Sequence, residues 1–344
     1  MKISKVLALI LALCLVLSLA ACGNNDAGTT DANDTATNPG DTDDTVNTGD
    51  ATVYNIGICQ LVQHPALDAA TEGFQAALVE KLGEDGVKFS VQNASGDAPT
   101  CSTICTQFVS DGVDLILGNA TAALQAAAAA TNEIPILGTS ITDYATALDI
   151  EDWTGTTGTN ISGTADLAPL DQQAAMLQEL FPDAKTVGIL YCSAEPNSAY
   201  QERVIRGYLE DAGYTVETFT FADSNDVASV TATACDSADV LYIPTDNTAA
   251  SCTEAINNIA LPKQVPIVAG EEGICSGCGV VTLSIDYYDI GYAAGEMAYD
   301  ILVNGADVST MEIQYAKTVT KKYNAANCEA LGITVPDDYV AIEA

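Results

Sequence analysis

Basic residues are the scarcest chemistry in this chain. Only 11 of its 344 residues are Lys or Arg, against 47 Asp or Glu, and the formal charge is −36. Arginine occurs only as Arg203 and Arg206. A nucleic-acid surface needs clustered cations to displace phosphate counterions, so that class is excluded. A basic patch on an anionic bilayer is excluded for the same reason. There is one histidine, His64, and one tryptophan, Trp153. A Ser-His-Asp triad would have to use His64, and no serine pattern stands beside it. A GxSxG elbow, a GxxxxGKS/T phosphate loop and a GxGxxG after the first strand are all missing. These absences argue for a protein that binds rather than an enzyme.

Long apolar runs are equally few. One runs from Val6 to Leu17, behind Lys2 and Lys5. Its twelve residues fall short of the roughly 20 that span a bilayer, which marks a signal-peptide core. Leu19-Ala20-Ala21-Cys22 resembles the bacterial lipobox. That resemblance implies a signal peptide over 1–21, cleavage before Cys22 and acylation of Cys22, which anchors the chain to the outer face of the cell membrane. The segment that follows holds Asp26, Asp31, Asp34, Asp41, Asp43, Asp44 and Asp50 without a single Lys or Arg. With so little to bury it is expected to stay disordered and self-repelling. Residues 22–52 thus read as a tether with a reach of about 30 Å.

Cysteine is plentiful, but its pattern is not that of a disulfide scaffold. Of 11 cysteines, setting aside Cys14 and Cys22 leaves an odd nine. Cys101/Cys105 and Cys275/Cys278 are the close pairs. A lone CxxC with no second pair and no nearby histidine is weak support for zinc. No metal and no cofactor is expected, and the thiols read as small apolar fillers, a local disulfide remaining open.

From Tyr54 onward, short apolar runs alternate with Ala-rich helical segments, the pattern of a parallel α/β sheet. Strands are expected over 54–59, 87–92, 113–117 and 134–137, with helices over 66–82, 103–110 and 122–130. The series then recurs, with strands over 186–191 and 215–221 and helices over 199–212 and 227–234. The stretch from Asp114-Leu-Ile-Leu-Gly-Asn to Ile134-Pro-Ile-Leu parallels that from Asp239-Val-Leu-Tyr-Ile-Pro to Val265-Pro-Ile-Val. A repeat this long is no solenoid unit; it predicts two similar doubly wound parallel-sheet lobes facing each other. Polar clusters follow the strand ends: 60–68, 93–97, 119–121, 139–143, 193–197 and 245–248. Each alone reads as helix capping. Six at equivalent places predict a polar cleft, because ligands of open α/β sheets bind beyond the carboxyl ends of the strands.

These segments resemble the substrate-binding lipoproteins of ABC transporters, in particular the tryptophan- and tyrosine-type receptors. The carriers are Gln63-His-Pro-Ala-Leu-Asp68, Gln92-Asn-Ala-Ser-Gly-Asp97, Gln107-Phe-Val-Ser-Asp111, Gly163-Thr-Ala-Asp166, Glu195-Pro-Asn-Ser198, Tyr242-Ile-Pro-Thr-Asp-Asn247 and Ile285-Asp-Tyr-Tyr-Asp-Ile-Gly291. The resemblance implies a periplasmic-binding-protein type I fold, with crossovers near 161–166, 282–287 and 316–322. Residues 53–163 plus 286–318 would form one lobe, and 164–285 plus 319–344 the other. It also implies a monomer that captures a small amino acid-like solute, an aromatic one favoured, and delivers it to a membrane permease driven by an ATPase subunit. A nucleoside, a branched-chain amino acid or a sugar is the alternative ligand, and docking on a chemoreceptor the alternative output.

An amino acid needs an anion site, an acidic site for its ammonium and a shaped pocket. With both arginines inside one helix, the carboxylate is expected on helix N-termini and hydroxyls, at Thr121 and at Thr139 or Ser140. The ammonium is expected at Asp246 or Asp166, helped by Asn197 and Asn247. Gln60, His64 and Tyr287 are expected at the side-chain end. A lone histidine reads equally as a structural residue, and Trp153 as a half-buried loop residue.

Overall fold

Two sheets organise the computed structural model, which describes residues 52–343. The first half of the chain runs β1 (Tyr54–Gln60), α1 (Pro65–Leu82), β2 (Val87–Asn93), α2 (Ala98–Asp111), β3 (Leu115–Asn119), α3 (Thr121–Ala130), β4 (Ile136–Ile141), α4 (Tyr144–Leu148) and β5 (Ile161–Ala165). The second begins with α5 (Leu170–Leu180), β6 (Thr186–Cys192), α6 (Pro196–Asp211), β7 (Thr215–Phe221), α7 (Val227–Ser237) and β8 (Val240–Ile243). It continues with α8 (Asn247–Ser251), α9 (Thr253–Ala260), β9 (Ile267–Ala269), α10 (Glu272–Gly277) and β10 (Val281–Ser284). The remainder supplies α11 (Tyr287–Leu302), β11 (Gln314–Tyr315), β12 (Thr320–Tyr323), α12 (Ala325–Leu331) and β13 (Val340–Ala341).

The first sheet has the order β11-β5-β4-β3-β1-β2 and is parallel throughout. The second has the order β13-β12-β10-β9-β8-β6-β7, with only β10 and β12 antiparallel. Both therefore repeat one doubly wound topology. The repeated aspartate does the same work in each half. Asp114 accepts the main-chain N–H of Asn55 at 2.7 Å, and Asp239 accepts those of Lys185 and Thr186 at 2.8 and 2.9 Å. Separate apolar cores cover the two faces of each sheet, built around Phe108 and Leu124, Phe74 and Leu117, Phe221 and Leu241, and Tyr242 and Val268.

Strands β1, β3 and β4 are buried over five or six consecutive residues, as parallel strands covered on both faces must be. Two strands sit further along the chain than their apolar residues predict. β3 continues to Asn119 and β4 to Ile141, because Gly118 and Asn119 stay in register with Gly138 and Thr139. Helix α2 starts five residues before the expected Thr103. Its start signals are Asp97, whose side chain accepts the N–H of Thr100, and a proline in the first turn, where no N–H is needed.

The chain passes between the two sheets three times, after β5, after β10 and after β11. The second passage delivers α11 onto α1 at close range. A Cβ added at Gly291 would lie 2.0 Å from the Ala70 carbonyl oxygen, and one at Gly73 would lie 2.1 Å from that of Tyr288. Nine cysteines of the described region are free thiols and eight of them are buried, Cys252 being half-buried.

Candidate ligand-binding cleft

Each sheet has a switch point where the strand order reverses, between β1 and β3 in the first and between β6 and β8 in the second. A crevice opens there beyond the carboxyl ends of the strands. The two crevices face each other: His64, on the loop after β1, places Nε2 3.2 Å from Oδ1 of Asn247, the first residue of α8. Both side chains are buried, at 7% and 9% exposure.

The first edge carries two strained residues. Ala120, between β3 and α3, has φ +86°, and Ser140, near the end of β4, has φ +56°. Left-handed backbone costs a residue with a Cβ on the order of 1–3 kcal/mol and concentrates at functional sites. The β4–β5 register breaks between Gly138 and Ile141, a bulge that re-aims Ser140. Its hydroxyl is buried without a hydrogen-bond partner among the described residues. Thr139 beside it accepts from Thr164 at 3.0 Å. Thr121 opens α3, whose preceding residue offers no side-chain cap. Uncapped N–H groups, a hydroxyl and a positive helix end thus converge, the make-up of an anion site. Gln60 is used within its own half of the chain: its amide donates to Val62 O and to Asp68 of α1, and its oxygen accepts from Thr71 of α1.

The second edge is a carboxylate network. Asp246 caps α8 through the N–H of Ala249 at 2.8 Å and also accepts the Cys192 N–H and the Ser198 hydroxyl, both at 2.7 Å. Glu195 accepts Asn247 N at 3.0 Å and Nδ2 at 2.8 Å, both Thr248 donors at 2.8 Å, and Asn197 Nδ2 at 3.1 Å. Asn197 also donates to the carbonyl of Thr245. Pattern reading missed the role of Glu195. Its place just before a proline at a strand end was the available signal.

Between the edges lie the crossover residues. Asp166 accepts the Thr142 hydroxyl and the Tyr287 hydroxyl, both at 3.0 Å, and its N–H reaches Ile141 O at 3.1 Å. It is therefore a neighbour of Ser140 along β4. Burial pushes its carboxyl up to about 6 against the pull of those two hydroxyls. Burial, reinforced by Glu195, pushes Asp246 up to about 8. Glu271, which caps α10, is pushed by burial up to about 7. Among the described residues none of Asp166, Glu195, Asp246 and Glu271 pairs with a Lys or Arg. Four buried carboxyls thus stand beside one crevice without an internal cation.

The family model described as ABC transporter substrate binding protein matches residues 55–344. A tyrosine-binding protein of Clostridioides difficile (strain R20291) is 36% identical over 304 residues, covering 88% of this chain and 85% of the relative. The structure of an ABC domain in complex with L-Trp from Streptococcus pneumonia superposes with a TM-score of 0.80 at 33% identity, over 83% of this chain and 97% of that one. A ligand-free, open substrate-binding protein with adhesive properties from Clostridium difficile gives only 0.65 at 36% identity, over 85% and 100%. The more identical of these two chains is thus the one that superposes less well. The two parallel α/β halves of this chain have the periplasmic-binding-protein type I fold, and the chain belongs to the ABC transporter substrate-binding protein family.

Proposed function

We propose that this chain is a lipid-anchored, extracytoplasmic receptor that captures an aromatic amino acid between its lobes and delivers it to the permease and ATPase of an importer. The observation that carries the ligand class is the adjacency of Ser140 and Asp166. The backbone bond from Asp166 to Ile141, the residue after Ser140, sets the unpartnered hydroxyl and the carboxyl without a cation on adjoining stretches of chain. An α-amino acid carries its carboxylate and ammonium on one carbon and needs two such sites side by side. Thr121, Thr139 and Ser140 would take the carboxylate and Asp166 the ammonium. Asp246 is the weaker candidate, because three donors of its own lobe already occupy it. Similarity to a tyrosine-binding protein and to a tryptophan complex supports the aromatic side chain. In this reading the chain releases its ligand unchanged. The two lobes expected from the sequence, 53–163 plus 286–318 and 164–285 plus 319–344, are kept in this reading with one change: residues 164 and 165 go to the first lobe, because β5 pairs there along its whole length. The proposed signal peptide, acylated Cys22 and tether fall outside the described residues.

A thermal-shift screen of the purified chain against amino acids, nucleosides and common sugars tests the ligand. A ligand at 100 times its Kd stabilises the native state by about 2.7 kcal/mol. A shift with tyrosine, tryptophan or phenylalanine is expected; a shift confined to nucleosides or sugars would overturn the aromatic assignment. Replacing Cys22 by Ser is expected to move the chain from the membrane fraction to the medium.

A further inference from the structure

The single imidazole of this chain is set in one tautomer by a relay that begins at a carboxylate. Glu195 accepts from Asn247 Nδ2 at 2.8 Å, so the amide of Asn247 has its nitrogen toward Glu195 and its oxygen toward His64. A carbonyl oxygen only accepts, so the hydrogen in that 3.2 Å contact sits on His64 Nε2. Burial lowers the proton affinity of the ring, against the raising effects of Asn247, Glu195 and Asp68. The neutral ring then offers a lone pair at Nδ1. That atom is buried and has no hydrogen-bond partner among the described residues.

We propose that His64 Nδ1 accepts a hydrogen bond from the ligand's side chain, and that Glu195 and Asn247 are the positioning residues that make it an acceptor. The cleft then selects an aromatic side chain ending in O–H or N–H, a phenol or an indole, over a bare ring. This rests on the aromatic amino-acid reading above. The ammonium cannot be the donor, because Asp166 follows β5 while His64 follows β1, with β4 and β3 between them. Three strand spacings of about 4.8 Å separate those strand ends by roughly 14 Å. That is beyond the reach of one ammonium, and close to a tyrosine laid end to end with a hydrogen bond at each extremity. An acceptor left buried and unmet by a bare ring weakens binding about tenfold or more.

Two measurements on the full chain in detergent test this. In titration calorimetry, tyrosine is expected to bind at least tenfold tighter than phenylalanine and 4-fluorophenylalanine, which match its shape without its donor. Because His64 is the only histidine, labelling with nitrogen-15 histidine gives one imidazole to follow by NMR. Its spectrum is expected to show hydrogen on Nε2, and its Nδ1 resonance to move with tyrosine but not with phenylalanine. In Glu195→Gln the tautomer is expected to become mixed and the tyrosine preference to fall. A merely structural role would weaken all three ligands alike and leave the tautomer unchanged. Equal affinities with an unmoved Nδ1 would overturn this proposal alone. If none of the three ligands binds, the aromatic reading falls and this proposal with it.

Discussion

Tyr287 donates its hydroxyl to Asp166 at 3.0 Å although 121 residues separate them in sequence. Asp166 leaves the first sheet after β5, and Tyr287 re-enters the first half at the start of α11. The bond therefore joins two of the three passages about which the halves can move, and it ends on the carboxyl assigned to the ligand's ammonium. In the proposed reading, hinge geometry and ligand charge meet at one side chain. Closure around a ligand by such hinges is a common device of two-lobed folds.

Asp166 and Asp246 are separable by the isosteric amide. Asp166→Asn removes the charge that faces an ammonium while keeping an oxygen for Tyr287 or Thr142. Ligand affinity is expected to fall at least a hundredfold, as when one member of a buried ion pair is lost. The ligand-free melting temperature should not fall. Asp246→Asn is expected to do the reverse, costing about 2 kcal/mol of stability by weakening contacts to Cys192, Ser198 and Ala249, with a smaller effect on affinity. Calorimetry of both variants, with and without ligand, decides. Loss of binding in Asp246→Asn alone would reverse the assignment.

Stability should depend on pH in a direction set by the raised carboxyls. Asp166, Glu271 and Asp246 sit at about 6, 7 and 8 in the fold, against ordinary values of 3.8, 4.5 and 3.8. Between those limits the folded chain holds protons that the unfolded chain has released. The stabilisation is complete below about pH 4 and is lost as pH rises toward 8. The ligand-free chain is therefore expected to melt at a higher temperature at pH 5 than at pH 8. Asp166→Asn should flatten the lower part of that slope. An ammonium beside Asp166 favours its charged form, so ligand binding near pH 6 should release protons. The binding enthalpy would then vary with the ionisation heat of the buffer. A melting temperature flat or rising from pH 5 to pH 8 would refute the scheme.

Ser140 should trade stability for binding. Its left-handed φ is retained by alanine, and Ser140→Ala deletes a buried hydroxyl without a partner. The ligand-free chain is expected to gain up to about 1 kcal/mol in chemical denaturation, while affinity falls about tenfold. Unchanged affinity would remove Ser140 from the anion site.

The fold was legible because its signals are periodic and repeated. Continuous apolar runs gave parallel strands, and the matched segments at Asp114 and Asp239 gave two like halves. Helix α5 went unread: Leu170–Leu180 is a short helix rich in glutamine, and its apolar residues are buried by the strands it covers and by α6, all distant in sequence. The polar strand ends pointed to the cleft, but not to its division of labour. That Asp246 takes donors from Cys192 and Ser198 of its own half, while Asp166 takes the hydroxyls of Thr142 and Tyr287, depends on partners tens of residues away. Strain at Ala120 and Ser140 was invisible for another reason. Left-handed backbone is ordinarily announced by glycine, and neither position has one.

The contact of α11 with α1 gives the sharpest test of the crossover topology. Ala70 O would lie 2.0 Å from a Cβ at Gly291, and Tyr288 O 2.1 Å from one at Gly73. Main-chain oxygens cannot swing aside as a flexible side chain can, so one added methyl must push the helices apart. Gly291→Ala is expected to cost about 2 kcal/mol, within the usual range for overpacking, although alanine favours an isolated helix more than glycine does. Propensity and packing thus predict opposite signs. Because α11 follows directly from β10 of the other sheet, the displaced helix should also disturb the Tyr287–Asp166 bond at its start, and ligand affinity should fall with stability. A Gly291→Ala chain more stable than the wild type in denaturant would mean that helix propensity outweighs the contact, and that α11 does not rest on α1 as described.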